Sequence, residues 1–386
     1  MRDSKEMGSP CAERGKISRR DFFGKARELV ANAAGVTGLL SFSSCKKGTF
    51  FGGDVEVGSD DVVEGEGKVA ELHRHHDTSH TPESIFRVSR QLGINPFREM
   101  TLGEITAMVR APKGVSFDQW YGYLKKVRLA YISPDAVGEL TRDVILDAAA
   151  EGIDLLELRV SLLSTVDAVM VHQKGRNYWE VAMEVMDSIL RVIEESRVAI
   201  DTDLLMSVSC ANRDLPRLDD YSRLILDYAG NVRGIDLTKE QENPPSRYRD
   251  MVTRMRGSIR WLTAHCMETE GPERGWDLLD LVPDRIGHGI RAVEDSALVE
   301  AIMKRMIPLE ICPLSNIMTG LATPETLPFR EFDERGLILT IGTDGLNDGT
   351  TLKDNFDFVQ GTFRYSPEDM KRFKRNNWGQ AFRNRG

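Results

Sequence analysis

Glu71-Leu72-His73-Arg74-His75-His76-Asp77 is the stretch that decides the fold. It follows directly on Val69-Ala70, and the apolar alternation through Leu72 reads as the end of a buried strand. In a strand, residues i and i+2 face the same side. His73 and His75 therefore point together into one cavity, which is how a protein offers two imidazoles to one metal ion. A pair of polar residues closing a strand explains the same stretch, so the rest of the chain must decide.

Downstream, strand-like runs alternate with helical ones. After the first strand, Thr81-Pro82-Glu83-Ser84 predicts a helix start, with Thr81 as cap and Pro82 at the first helical position. Apolar residues at helical spacing continue from Asp118 to Tyr131 and from Pro134 to Glu151, with Gly152 as a stop. Further strands are expected at Leu155 to Val160, Leu204 to Cys210, Val232 to Leu237, Ile259 to His265, Arg285 to His288, Pro308 to Cys312 and Leu337 to Asp344. Helical segments fall between them, among them Tyr178 to Ser196, Leu218 to Tyr228, Tyr248 to Gly257, Trp276 to Val282 and Ser296 to Met306. Eight strand–helix units in one domain predict an α/β fold, a (β/α)8 TIM-type barrel over 69–386 with additional helices after strand 1. A doubly wound sheet is the structural alternative.

In such a barrel the active site lies at the C-terminal ends of the strands. His73 and His75 end strand 1, His265 strand 5, His288 strand 6 and Asp344 strand 8. Four of the seven histidines at one rim, beside an aspartate, are hard to explain as packing. His73, His75, His265 and Asp344 make a four-ligand N/O set that suits one Zn2+ per chain, with water completing the shell; Fe2+ and Mn2+ fit less well. A metal there makes hydroxide available near neutral pH. His288 then serves as base or electrostatic orienter of the water. Glu268, three residues after His265, projects from the loop after strand 5, where a carboxyl can protonate a ring nitrogen or leaving group. Metal, acid and base in one pocket describe hydrolytic attack on an sp2 carbon, such as an amidine C–N or an amide.

Composition narrows the partners. The chain has 386 residues, 41% of them hydrophobic, and a net charge of -9, a balance that does not suggest a nucleic-acid partner and leaves a small molecule as the expected one. The basic run Lys371 to Arg375 is short and is expected on the solvated face of a terminal helix. Cys210, Cys266 and Cys312 lie in or beside apolar runs and are expected as buried free thiols. The first 45 residues read as an address. Ser18-Arg19-Arg20-Asp21-Phe22-Phe23 resembles a twin-arginine export signal, an apolar stretch follows from Leu29 to Phe42, and small residues precede Cys45 as in a lipoprotein cleavage site. The expectation is an exported protein, periplasmic or anchored to the membrane through a lipid on Cys45. Residues 46–68, glycine-rich and acidic, read as a tether.

These motifs carry a resemblance. Glu71-Leu72-His73-Arg74-His75 is similar to the first-strand ExHxH signature of the adenosine deaminase family of metal-dependent aminohydrolases. Leu156-Glu157-Leu158-Arg159, Gly234-Ile235-Asp236-Leu237, His265 with Glu268, Arg285-Ile286-Gly287-His288-Gly289, Leu309-Glu310-Ile311-Cys312-Pro313-Leu314-Ser315-Asn316 and Thr343-Asp344 resemble its later motifs in order and spacing. The resemblance runs from about Val69 to Phe382. It implies Zn2+ held by His73, His75, His265 and Asp344. It implies Glu268 as proton donor to a purine ring nitrogen, His288 beside the nucleophilic water, Asp344 within the catalytic set, and ammonia as a product. Asp77 is implied as a contact to ribose or its equivalent.

The departures fall where the family reads its substrate. Its strand-eight motif has two adjacent aspartates, and here Gly345 stands in the second place. Asn347 or Asp348 is the nearest polar replacement. Lys239 stands where the family has a glycine against the base, and brings a positive charge. His76 and Thr78 replace the leucine and glycine around Asp77. Asp77, Lys239 and Asp348 are therefore the expected substrate contacts. The leading expectation is zinc-dependent hydrolytic deamination of adenosine or a related purine or nucleoside-like amine. The alternatives are a metal-dependent hydrolase of another C–N, ester or phosphoester substrate on the same barrel, or a substrate-binding protein that kept the fold. The complete set of Glu268, His288 and metal ligands argues against a pure binder.

Overall fold

The computed structural model describes residues 67–112, 114–346 and 349–385, without the side chains at 117 and 118. The expected export address with Cys45, the tether apart from residues 67 and 68, and Asp348 lie outside the described residues.

Eight parallel strands follow one another in chain order around one sheet. They are β1 Ala70–His75, β2 Leu155–Val160, β3 Asp201–Ser209, β4 Val232–Thr238, β5 Trp261–Cys266, β6 Ile286–His288, β7 Leu309–Ile311 and β8 Leu339–Ile341. Every residue of β1, β2 and β5 is buried, as parallel strands covered on both faces require. The sheet closes between its first and last members: Asp344 N–H donates to His73 C=O at 2.7 Å, and His75 N–H donates to Asp344 C=O at 2.9 Å. At the other end of this seam, Asn377 ties β8 to β1. Its side chain accepts from Ile341 N–H at 2.9 Å and donates to Ala70 C=O at 2.9 Å. The architecture is a (β/α)8 barrel with helices between the strands, as the alternation predicts.

The last three strands are three residues each, shorter than their apolar runs predict. The causes are local. Pro308 has no N–H for a ladder, and Cys312 already caps the helix Pro313–Met318. His288 and Asp344 have φ of 57° and 66°, which turns the chain out of the strand where their side chains are needed. The helix before β6 runs Pro272–Leu279, earlier than Trp276 to Val282, because Pro272 starts it and Val282 sits at φ 54° outside it.

Four helices separate β1 from β2: Pro82–Leu92, Leu102–Val109, Phe117–Val127 and Pro134–Ala150. The first is capped as expected, with Thr81 Oγ1 accepting from Ser84 N–H and Pro82 in the first turn. The expected helix from Asp118 to Tyr131 is a helix to Val127 and then a 3-10 turn Arg128–Ala130. Cys210, Cys266 and Cys312 are buried free thiols. The Lys371 to Arg375 run lies on the terminal helix Pro367–Gln380, its charges outward and Phe373 buried.

Candidate metal centre and catalytic rim

The pleat of β1 sends His73 and His75 to one side, and the closing seam delivers Asp344 next to them. His265 arrives from β5. The Nε2 atoms of His73 and His265 are 3.2 Å apart, and those of His75 and His265 are 2.9 Å apart. Asp344 Oδ1 lies 3.4 Å from His75 Nε2 and 3.7 Å from His73 Nε2. Ligand atoms of His73, His265, His288 and Asp344 all fall within 4.8 Å of one another, and His75 groups with His265 and Asp236 in the same way. The five rim residues expected from the sequence, His288 among them, are thus together.

The back of this cluster says what its front holds. His73 Nδ1 faces Glu310 Oε2 at 2.9 Å, and His265 Nδ1 faces Asp236 Oδ1 at 3.0 Å. Each carboxylate keeps the imidazole hydrogen on Nδ1, leaving a lone pair on Nε2. Ring nitrogens about 3 Å apart need a cation between their lone pairs, and either a metal ion or a proton serves: against the effect of burial, Asp236 holds the His265 imidazole up to about 9, so His265 carries that proton when no metal does. The charges agree. Asp236, Glu310, Glu157 and Asp344 are four carboxylates against two guanidiniums, Arg159 and Arg285, leaving a surplus of two negative charges for a divalent ion. Arg159 bridges Asp236 at 3.3 Å and Glu310, and Arg285 reaches Glu310 at 2.6 Å and Glu157, all inside the barrel. The residues present therefore fit a divalent metal.

Burial sets the protonation of these groups. It drives the His73 imidazole well below its ordinary range, helped by Arg159. It works to raise the Asp344 carboxyl, but His75, His288 and His265 around it outweigh that and hold it down. His288 is pushed down to about 3, chiefly by burial, so it is neutral at working pH. Its Nδ1 lies 3.1 Å from the Asn316 side-chain amide nitrogen, and its buried Nε2 has no hydrogen-bond partner among the described residues. Burial, then the Asp344 charge, pushes the Glu268 carboxyl up to about 8. The same Asn316 nitrogen donates to Glu268 Oε1 at 3.3 Å.

Glu240 fixes the loop that carries Glu268. Its Oε2 accepts from Met267 N–H at 2.6 Å, and its Oε1 accepts from Glu268 N–H at 2.8 Å, Thr269 N–H at 2.8 Å and Glu270 N–H at 3.1 Å. Met267 has φ 56°, so successive amides converge into an anion-binding nest around this carboxylate. Neither Glu240 nor the roles of Asp236, Glu310, Ser315 and Asn316 were read from the sequence. Ser315 Oγ donates to Asp344 Oδ2 at 2.7 Å. A signal was available for two of them: Asp236 and Glu310 stand between apolar neighbours in strands, Ile235 and Leu237 for one and Leu309 and Ile311 for the other, where an unpaired charge is too costly to keep.

The expected substrate contacts fare differently. Asp77 is buried and paired with Arg128. Burial opposes its ionisation, but Arg128 overrides this and holds the carboxyl at about 2. Lys239 directly follows β4 with φ 61°, the left-handed conformation that suits a glycine, and its Nζ donates to Tyr121 OH at 2.8 Å. His76 does not face the cluster. Its Nε2 bonds Thr141 Oγ1 at 2.8 Å on the outer helix, and its ring packs on His80. The other two departures are one feature. A Cβ on Gly345 would lie 2.2 Å from Thr78 Oγ1 and 2.9 Å from the Thr78 carbonyl oxygen, so no side chain fits there while Thr78 is present. Thr78 Oγ1 instead donates to Asp344 C=O at 3.0 Å, stiffening the seam beneath that carboxylate.

Comparison with known proteins agrees with this geometry. The family model described as "Adenosine deaminase" matches residues 68–385. An adenosine deaminase of Shewanella denitrificans is 27% identical over 327 residues, covering 81% of this chain and 94% of that protein. Among solved structures, an adenine deaminase from Arthrobacter aurescens aligns with a TM-score of 0.68 at 23% identity, over 81% of this chain and 93% of that one. The Arabidopsis N6-mAMP deaminase aligns with a TM-score of 0.68 at 20% identity, over 82% and 93%. With the clustered imidazoles and carboxylate, these matches make the chain a metal-dependent hydrolase of the deaminase type and a member of the adenosine deaminase family.

Proposed function

We propose that this protein carries out zinc-dependent hydrolytic deamination of an amine on a purine or purine-like ring, releasing ammonia. The observation that carries the reading is the convergence of His73, His75 and His265 through Nε2, with the back of two rings tied to carboxylates. In this reading His73, His75, His265 and Asp344 hold one Zn2+, the ion suited to three nitrogens and one oxygen. The ion supplies Lewis acidity, which makes hydroxide available near neutral pH.

The chain's own residues do the rest. His288 is neutral and accepts the Asn316 amide hydrogen at Nδ1, so its hydrogen sits on Nε2 and orients the attacking oxygen. Glu268, held protonated by burial, gives its proton to the ring nitrogen beside the attacked carbon. The new C–O bond forms, the proton of the added hydroxyl passes to the amine, the C–N bond breaks, ammonia leaves with the carbonyl formed behind it, and Glu268 regains the proton that the attacking water released. Asp77 and Lys239 stand at the mouth as substrate contacts. The deaminase names among the matched proteins support the reaction class, and the Thr78–Gly345 and Lys239 departures support a substrate other than adenosine itself.

The test is ammonia release by zinc-loaded protein across nucleosides, nucleotides, free purines and cyclic amidines. Release from one member, abolished by His265→Ala, is expected. No ammonia from any of them would sink the reading. The twin-arginine motif and the small residues before Cys45 support export and lipidation as part of the same proposal.

A further inference from the structure

We propose that the mouth of the barrel holds an oxyanion carried by the substrate, bound among the cations around Tyr121. This rests on the reading above that substrate enters at this rim. The proposal starts from an imbalance of charge. Lys239 Nζ donates to the Tyr121 hydroxyl at 2.8 Å and stands 4.8 Å from its ring centroid. Lys125 Nζ lies 5.2 Å from the same ring. The Arg128 guanidinium, further along the segment, adds its charge beside the Tyr121 hydroxyl. Three cations thus surround one phenol. The countercharge is Asp77, taken up by Arg128, and among the described residues no carboxylate pairs with Lys239 or Lys125.

The cluster sits where a substrate passes. Asp77 comes two residues after His75, and Lys239 comes three residues after Asp236, which orients His265. β1 and β4 are not neighbours in the barrel, so Phe117–Val127 and the turn Arg128–Ala130 reach across from one rim position to the other. No hydrogen bond or ion pair joins Lys239, Arg128 or Tyr121 to His73, His75, His265 or Asp344 among the described residues. The cations lie beyond the reacting end and grip the far end of the molecule. Because Lys239 donates to the phenol oxygen, the phenol hydrogen is free to be given away. An ammonium, a guanidinium and a hydroxyl hydrogen are the donors that a phosphate or carboxylate accepts in charge-assisted bonds.

The test uses matched pairs on the full zinc-loaded chain: AMP against adenosine, and adenosine-5′-carboxylate against adenosine, read as kcat/KM for ammonia release. Titration of IMP against inosine reads binding independently of turnover. An anion should be favoured by about 10-fold or more, the size of one charge-assisted bond. Lys239→Met should lower the anion-to-neutral ratio by about tenfold, Lys239→Arg should restore most of it, and Tyr121→Phe, which keeps the ring, should lower it less. Preference for AMP but not the 5′-carboxylate assigns phosphate; the reverse assigns carboxylate. Equal kcat/KM and equal binding for each pair overturns the oxyanion site while ammonia from adenosine leaves the deaminase reading standing. Selective IMP binding without ammonia from any substrate upholds the site and removes the deaminase reading. Binding of neither IMP nor inosine overturns the site.

Discussion

Glu240→Gln asks whether the acid is placed by its loop. Glu240 Oε1 accepts from Glu268, Thr269 and Glu270 N–H at 2.8, 2.8 and 3.1 Å, and Oε2 from Met267 N–H at 2.6 Å. A glutamine keeps the carbonyl toward the larger group of donors. Its amide nitrogen then faces the Met267 N–H, donor against donor. One charge-assisted bond of about 1.5–3 kcal/mol is lost and one buried N–H is left unpaired at about 1–3 kcal/mol, so about 3 kcal/mol is the expected cost. In thermal unfolding this appears as a fall of about 5 °C for a domain of this size. Because Glu268 directly follows Met267 and its own N–H belongs to the same nest, its carboxyl moves from its position and kcat falls about 10- to 100-fold. Removing the Glu240 charge also lowers the Glu268 pKa, since that charge helps to raise it, so the basic limb of the pH profile shifts to lower pH. Bound metal per chain stays as in the unaltered protein. Unchanged melting, kcat and pH profile together would refute the argument; a fall in metal content alongside kcat would show that Glu240 acts on the ligands instead.

Other expectations are equally specific. Gly345→Asp should destabilise by about 1–3 kcal/mol from the clash with Thr78, and Thr78→Gly in the same chain should recover much of it, read as a coupling energy in a double-mutant melting cycle. Additive melting shifts would mean that the two departures are unrelated. Glu268→Gln should lower kcat about 10²- to 10⁴-fold, and in the parent protein kcat/KM should fall above a pKa near 8 or lower, a nearby divalent ion pulling the carboxyl down. A profile flat to pH 10 would rule Glu268 out as the acid. Asp147, raised to about 7 first by burial and then by Asp143, gains protons on folding, so its contribution to stability weakens as pH rises from about 4 to 7. Asp147→Asn should add about 1–2 kcal/mol at pH 8 and little at pH 4 in urea unfolding, and an equal gain at both would contradict the assignment. Mass spectrometry of membrane-fraction protein should find a diacylglyceryl group on Cys45, and an intact leader in a soluble chain would count against it.

The barrel and the candidate metal cluster were legible because both depend on local pattern. Period-two alternation in β1 puts His73 and His75 on one side, and buried parallel strands read as apolar runs that end where the chemistry begins. The substrate end was less legible because its residues act through partners distant in sequence. Thr78 and Gly345 look like separate departures until the seam between β1 and β8 brings them within contact. Lys239 reads as an intrusion into the site, yet its left-handed backbone sends the side chain to Tyr121 on a helix that precedes it by more than a hundred residues. His76 follows the two rim histidines and still faces outward, because a strand alternates. Glu240 could not be found by pattern at all, since its partners are backbone amides whose convergence needs the folded loop.

The central claim is a metal-dependent release of ammonia, and one titration tests it most directly. Bound metal per chain and ammonia release from the best substrate are followed together while a chelator strips the protein and Zn2+ is returned. The account predicts that both fall in proportion, with activity reaching zero at zero metal and returning at one Zn2+ per chain. Ammonia release that persists after the metal is gone, or full metal loading with acid rather than ammonia as the product, would contradict it.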